Sequence, residues 1–192
     1  MGLFVVGIGA SAGGLSAITG LLRNAFCHQS MCFVVVSHIP REYHSELAQI
    51  CETASNLVTQ EVAVGMPLEH CHVYTIPPNF YVGIDSGKFT LTARPTQQHN
   101  HSAYFFFQEL AREYGENSIG VVLSGARVGA DGAAGVKAIK NAGGHTFAQE
   151  PSTAEYPDMP RLSIATGCVD SILDPAMIGH ELSLISWIGS EQ

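Results

Sequence analysis

Apolar positions in this chain alternate between short continuous runs and longer stripes at helical spacing. Leu3 to Val6 is a run, and Leu15, Ile18, Leu22 and Phe26 then recur every three or four residues, which predicts a strand followed by a helix. Met31-Cys32-Phe33-Val34-Val35-Val36 is unbroken and rich in β-branched residues, as suits a strand covered on both faces of a parallel sheet. It gives way to Ser37-His38-Ile39-Pro40, where the proline disfavours further regular structure. Ser45 to Thr53 predicts a short helix with Leu47, Ile50 and Cys51 inward.

Beyond the Gly65-Met66-Pro67 loop, His72 to Ile76 predicts a strand that Pro77-Pro78-Asn79 breaks. Tyr81 to Ile84 and Lys88 to Ala93 flank Asp85-Ser86-Gly87, a hairpin signal, and this piece is expected to extend one edge of the sheet. A polar loop runs from Arg94-Pro95 to His101. Ser102 is then expected to cap a helix whose inward stripe is Ala103, Phe106, Phe107, Leu110 and Tyr114. Ile119 to Leu123 predicts a buried strand, and the next helix carries Val136 and Ile139 inward and stops at Gly143-Gly144. Thr146 to Gln149 and Cys168 to Leu173 predict further strands. Pro160 falls in the first turn of one helix, and Asp174-Pro175 caps another with Ile178, Leu182 and Ile185 on one face. Strands alternating with helices predict an α/β fold, doubly wound around a mostly parallel sheet, with helices on both faces and a small antiparallel hairpin addition.

Composition narrows the chemistry. The 192 residues suit one domain with a substantial core, and 46% hydrophobic against 14% charged residues describes a compact protein. A formal charge of −8 argues against nucleic acid as a partner, because a phosphate backbone requires clustered Lys and Arg. The five cysteines show no CxxC spacing and mostly adjoin apolar residues, so buried reduced thiols are expected. No run approaches the ~20 apolar residues of a membrane helix, and the chain opens on a core strand without a basic leader. A cytoplasmic protein without membrane insertion is the expectation.

The first strand ends in Gly7-Ile8-Gly9-Ala10-Ser11-Ala12-Gly13-Gly14, which fits two fingerprints. Gly7-x-Gly9-x-x-Ala12 is a dinucleotide loop, but that reading requires an acidic residue about 20 positions on, for the ribose hydroxyls. The second strand ends at Ser37-His38, with no acid. Gly9-x-Ser11-x-Gly13 is a nucleophile elbow, which requires a base and an orienting acid at neighbouring strand ends. His38 follows the second strand and Asp131 follows the Ile119–Leu123 strand. A serine needs a base at neutral pH, and the imidazole needs an acid to fix its tautomer. The Ala12 N–H is a candidate oxyanion donor. Each residue also has a plainer reading: Ser11 and Asp131 as helix caps, His38 as a loop residue. His70-Cys71-His72 does not converge on a metal, because residues 70 and 72 face opposite to Cys71 on a strand.

These residues resemble the catalytic domain of the chemotaxis protein-glutamate methylesterases (CheB), especially the version found in methylesterase–methyltransferase fusion proteins. The likeness runs through Gly7 to Gly14, Val36-Ser37-His38, Gly65-Met66-Pro67, His72 to Asn79, Gly120 to Gly125, Gly129-Ala130-Asp131-Gly132 and Asp158-Met159-Pro160-Arg161. It implies that residues 1–192 form a single methylesterase domain, here without the usual receiver domain. It implies hydrolysis of glutamate γ-methyl esters, and deamidation of glutamines, on methyl-accepting chemotaxis receptors, with a methyltransferase or receiver domain as fused or separate companion. Ser11, His38 and Asp131 match the family's catalytic serine, histidine and aspartate, and no metal or organic cofactor is implied. Three residues, Ala126-Arg127-Val128, separate Gly125 from Gly129 where the family usually has one or two, so this segment is a candidate oxyanion and substrate loop. Ser37 stands where a glutamine is common, and Ala12 where stand-alone enzymes carry threonine. The lengthened loop also motivates a second expectation, a catalytically weakened module that binds a receptor or signalling partner.

Overall fold

The computed structural model describes residues 2–27, 30–37, 44–95, 101–126 and 131–190, except for the side chains of 44, 45, 131 and 187–190. Seven strands form one sheet: β1 (Phe4–Ala10), β2 (Met31–Ser37), β3 (Val58–Glu61), β4 (His72–Thr75), β7 (Ser118–Val122), β8 (His145–Gln149) and β9 (Ser171–Leu173). Their order is β3-β4-β2-β1-β7-β8-β9, and every pairing is parallel. Among the described residues six α-helices accompany them: α1 (Gly14–Asn24), α2 (His44–Ser55), α3 (Ser102–Tyr114), α4 (Asp131–Asn141), α5 (Asp158–Ile164) and α6 (Pro175–Ser190).

The strand period of two divides the core between the faces. Val6, Ile8 and Ala10 of β1 join Phe33 and Val35 of β2 in packing against α1, α2 and α6. Val5 of β1 and Val34 and Val36 of β2 face α3, α4 and the antiparallel pair β5 (Phe80–Asp85) and β6 (Lys88–Ala93). Burial on both sides explains the unbroken apolar runs of the central strands. The doubly wound expectation therefore matches the structure.

The hairpin expectation needs a correction. β5 and β6 form a separate two-stranded sheet, and the edge beyond β4 is taken by β3. Val82, Ile84 and Phe89 lodge in the core beside Phe106 and Phe107 of α3, so the hairpin lies on a helix and not along the sheet. β3 reads Val-Thr-Gln-Glu and is partly exposed, without the apolar run that marks its neighbours. Other corrections are local. α1 stops at Asn24, with Ala25 extended at φ −94, which leaves Phe26 65% exposed despite its helical spacing. Leu15 is likewise on the outer side of α1, and Ile50 is only partly buried. Ser102 is the first residue of α3 and not its cap, with His101 in the flanking position. The last strand is confined to Ser171–Leu173.

None of the five cysteines is in a disulfide. Burial pushes the Cys32 thiol strongly upward and the Cys51 thiol to about 12, so both stay protonated and act as small apolar side chains. Among the described residues, no helix is long and apolar enough to cross a membrane.

Candidate active site

The chain leaves β1 toward β2 on one side and later returns to place β7 on the other, so the winding reverses between β1 and β7. In open α/β sheets this switch point, at the carboxyl ends of the strands, is where a crevice forms and where ligands bind. Ser11 stands directly beyond the end of β1 at that position. Its N–H donates to the Ser124 carbonyl at 3.0 Å, and its carbonyl accepts from the Gly14 N–H at 2.9 Å. The first bond ties the serine to the residues leaving β7, and the second closes a tight turn into α1.

That turn shows what each glycine does. Gly13 is the N-cap of α1 in the left-handed region, at φ 68 and ψ 3, where a side chain would be strained. The capping role considered for Ser11 is therefore filled by Gly13. Gly7 and Gly9 belong to β1 itself and serve a different purpose. A Cβ on Gly7 would lie 2.8 Å from Phe107, and one on Gly9 would lie 3.3 Å from the Ala103 Cβ. They let α3 approach the sheet, whereas the turn itself depends on Gly13.

Ser124 is the knot that fixes this turn. Its hydroxyl donates to the Ala12 carbonyl at 2.9 Å and accepts from the Tyr156 N–H at 3.0 Å, while its own N–H donates to Gln149 Oε1 at 2.8 Å. Gln149, buried at the end of β8, anchors its amide on Thr153 through the carbonyl at 3.1 Å and the hydroxyl at 3.2 Å. Gly125 continues the linkage: its N–H donates to the Tyr156 carbonyl and its carbonyl accepts from the Met159 N–H. A Cβ on Gly125 would stand 2.1 Å from Met159 Sδ and 3.1 Å from the Ser11 Cβ. The floor of the site is thus a close stack of Met159, Gly125 and Ser11. Ser11 has a signal in the sequence, whereas the supporting parts played by Ser124, Gln149, Tyr156 and Met159 do not. The local signal nearest them was Ser124-Gly125 at the end of the Gly120 to Gly125 stretch; the others come from the end of β8, the segment after it and α5, some 25 to 35 positions later.

The remaining predicted residues are only partly within view. Ala12 lies in the turn before α1, and among the described residues no backbone carbonyl accepts from its N–H. Ala126 is half-buried after Gly125. Arg127, Val128 and His38 lie outside the described residues, as does the side chain of Asp131. Asp131 is the first residue of α4, and its neighbour Gly132 brings that helix close to β7, since a Cβ there would meet Val122 Cγ1 at 3.0 Å. On β2, Ser37 is paired with Ala10, the residue before Ser11. His72 of the discounted His70-Cys71-His72 group stacks on Tyr74 at 5.8 Å, and its Nδ1 lies 2.9 Å from the His70 carbonyl. Among the described residues, no three His, Cys, Asp or Glu side chains gather as metal ligands would.

Comparison with known proteins fits this geometry. A protein-glutamate methylesterase/protein-glutamine glutaminase of Photorhabdus laumondii is 30% identical over 175 residues, covering 88% of this chain and 49% of that protein. A second of that name from Anaeromyxobacter dehalogenans is 35% identical over 170 residues, covering 88% of this chain and 49% of the relative. The chain thus spans about half the length of these curated relatives. The crystal structure of the Thermotoga maritima CheB methylesterase catalytic domain superimposes with a TM-score of 0.86 at 27% identity, covering 96% of this chain and all of that one. The family model described as CheB methylesterase matches residues 6–182. With a family model matched over most of its length and a doubly wound sheet of the same fold, the chain belongs to the CheB methylesterase family.

Proposed function

We propose that this chain is a cytoplasmic serine hydrolase that removes methyl groups from glutamate γ-methyl esters of methyl-accepting chemotaxis receptors and deamidates receptor glutamines by the same route. Residues 1–192 act as one catalytic domain, with a methyltransferase or receiver domain as its fused or separate companion. The observation that carries the reading is the placement of Ser11 at the β1–β7 switch point, locked by its bond to Ser124. Two connections support the rest of the set. His38 follows Ser37, whose partner across the sheet is the residue before Ser11. Asp131 opens the helix that follows β7.

In this scheme the Ser11 hydroxyl attacks the ester carbonyl carbon while His38 takes its proton. The tetrahedral intermediate carries an oxyanion, for which the Ala12 N–H is the donor, with Ala126, Arg127 and Val128 as the candidate oxyanion and substrate loop. Collapse breaks the carbon–oxygen bond, and methanol leaves with the proton held by His38. Asp131 keeps the imidazole in one tautomer and stabilises its cationic form. Water, deprotonated by His38, then attacks the Ser11 ester and releases the receptor carboxylate. A glutamine follows the same path with ammonia as the leaving group. Incubating the chain with methyl-labelled receptor and measuring methanol tests the reading. Release above the spontaneous rate is expected; receptor binding without release would instead make the chain a binding module.

A further inference from the structure

Glu155 projects over the first turn of α1 from a segment that reaches the site only through folding. A Cβ on Gly13 would lie 2.7 Å from the Glu155 Cβ and 2.9 Å from its Oε2, and equally 2.9 Å from Ser124 Oγ. The glutamate is held there by its neighbour, because Tyr156 N–H donates to Ser124 Oγ and Tyr156 carbonyl accepts from the Gly125 N–H. Gly13 is two residues from Ser11, and Gly125 stacks on the Ser11 Cβ. α1 brings no acidic residue to its own first turn, and among the described residues Glu155 sets a carboxylate against this helix terminus. Among the described residues no basic side chain pairs with it.

A fixed negative charge beside a nucleophile is unfavourable for binding an anion there and indifferent to a neutral group. Ester and amide substrates are neutral at the reacting centre; the product of either reaction is a carboxylate. We propose that Glu155 makes the site selective for a neutral acyl group and weakens its hold on the carboxylate product, a role that rests on the hydrolase reading above. Glu155 is then a specificity-determining residue, acting by charge through the helix terminus and taking no part in bond-making.

The test compares binding of one receptor segment in three forms, carrying a γ-methyl ester, a glutamine or a free glutamate, to the full chain with Ser11→Ala so that nothing is turned over. Adding Glu155→Gln is expected to tighten binding of the free-glutamate form by about three- to tenfold and to leave the ester and glutamine forms within about twofold, the scale of one like-charge contact in a largely solvated site. Glu155→Asp keeps the discrimination. A purely structural role for Glu155 would lower thermal stability and shift all three forms alike, and that result overturns the proposal, as does no change in the glutamate form. Absence of methanol release by the unmutated chain, with the charge-dependent binding intact, would remove the hydrolase reading and leave the selectivity standing. Failure of all three forms to bind would overturn both.

Discussion

Two sets of glycines meet β1 and β7, and they are constrained by different neighbours. Gly7 and Gly9 lie within the strand, beneath Phe106, Phe107, Leu110 and Ala103 of α3. Gly13 and Gly125 lie beyond the strand ends, against Glu155, Ser124, Met159 and Ser11. The first set is empty so that an aromatic-rich helix can sit close to the sheet; the second is empty so that three loops can converge on one serine. From Gly7 to Gly13 the sequence shows a single glycine-rich stretch where the molecule has a packing device running into a tight turn. That explains why a dinucleotide fingerprint arises without its acidic partner.

The comparison can be broken by giving each set a methyl group. Gly125→Ala carries the largest expected effect, because the new Cβ would fall 2.1 Å from Met159 Sδ and 3.1 Å from the Ser11 Cβ. Making room by shifting Ser11 misaligns the nucleophile, and a displacement of about 1 Å costs about 100-fold in rate. Methanol release should fall by up to about that factor, with a smaller change in the unfolding midpoint. An unchanged rate would show that the stack is not part of the site.

Gly7→Ala should act on stability and not on chemistry. Its Cβ would lie 2.8 Å from Phe107 Cε1 and 3.1 Å from Leu110 Cδ2 and Phe106 Cε1, in a core with no room to yield. Overpacking of this kind costs about 1–3 kcal/mol. The loss of unfolded-chain entropy offsets only about 0.4–1 kcal/mol of it. Denaturant unfolding should show net destabilisation, while the rate per folded molecule stays near that of the original chain. A loss of rate without a loss of stability would reverse the assignment of the two sets.

Gly87→Ala is the smallest perturbation and serves as a reference for strain alone. Gly87 has φ 72 with nothing within 4 Å of a Cβ, so the substitution meets no neighbour and only the left-handed backbone resists it. About 1 kcal/mol of destabilisation is expected from that conformation, with methanol release unaffected.

The sheet was readable because its inner strands are covered on both faces, and such strands must be apolar throughout. β1, β2 and β7 announce themselves for that reason. β3 does not, since it is a four-residue edge strand whose partly exposed residues need not be apolar. The hairpin was found from its turn: Ser86 and Gly87 both have positive φ, as a two-residue hairpin turn requires. Its seat on α3 was not legible, because turn chemistry is local whereas docking depends on Val82, Ile84 and Phe89 meeting residues far along the chain. Phe26 misled because helical spacing continues past Asn24 although the helix does not.

The site divides in the same way. Ser11 was legible because a serine between glycines at a strand end has a local geometric meaning. Ser124 was not, because its bonds run to Ser11, Ala12, Gln149 and Tyr156, and no spacing rule connects those positions. Met159 was noticed as part of a matching motif, yet its contact with Gly125 emerges only when α5 is packed against β7. Chemistry-bearing residues leave marks in sequence, whereas the residues that hold them in place are known by their contacts.

The central claim is that the Ser124-locked turn presents Ser11 as the nucleophile. Ser11→Ala removes the hydroxyl and leaves intact both backbone bonds that hold the turn, so the fold is preserved while the chemistry is not. Methanol release from methyl-labelled receptor should drop to the spontaneous rate with receptor binding retained. Release by the substituted chain at a rate comparable to the original would contradict the account and require a different nucleophile.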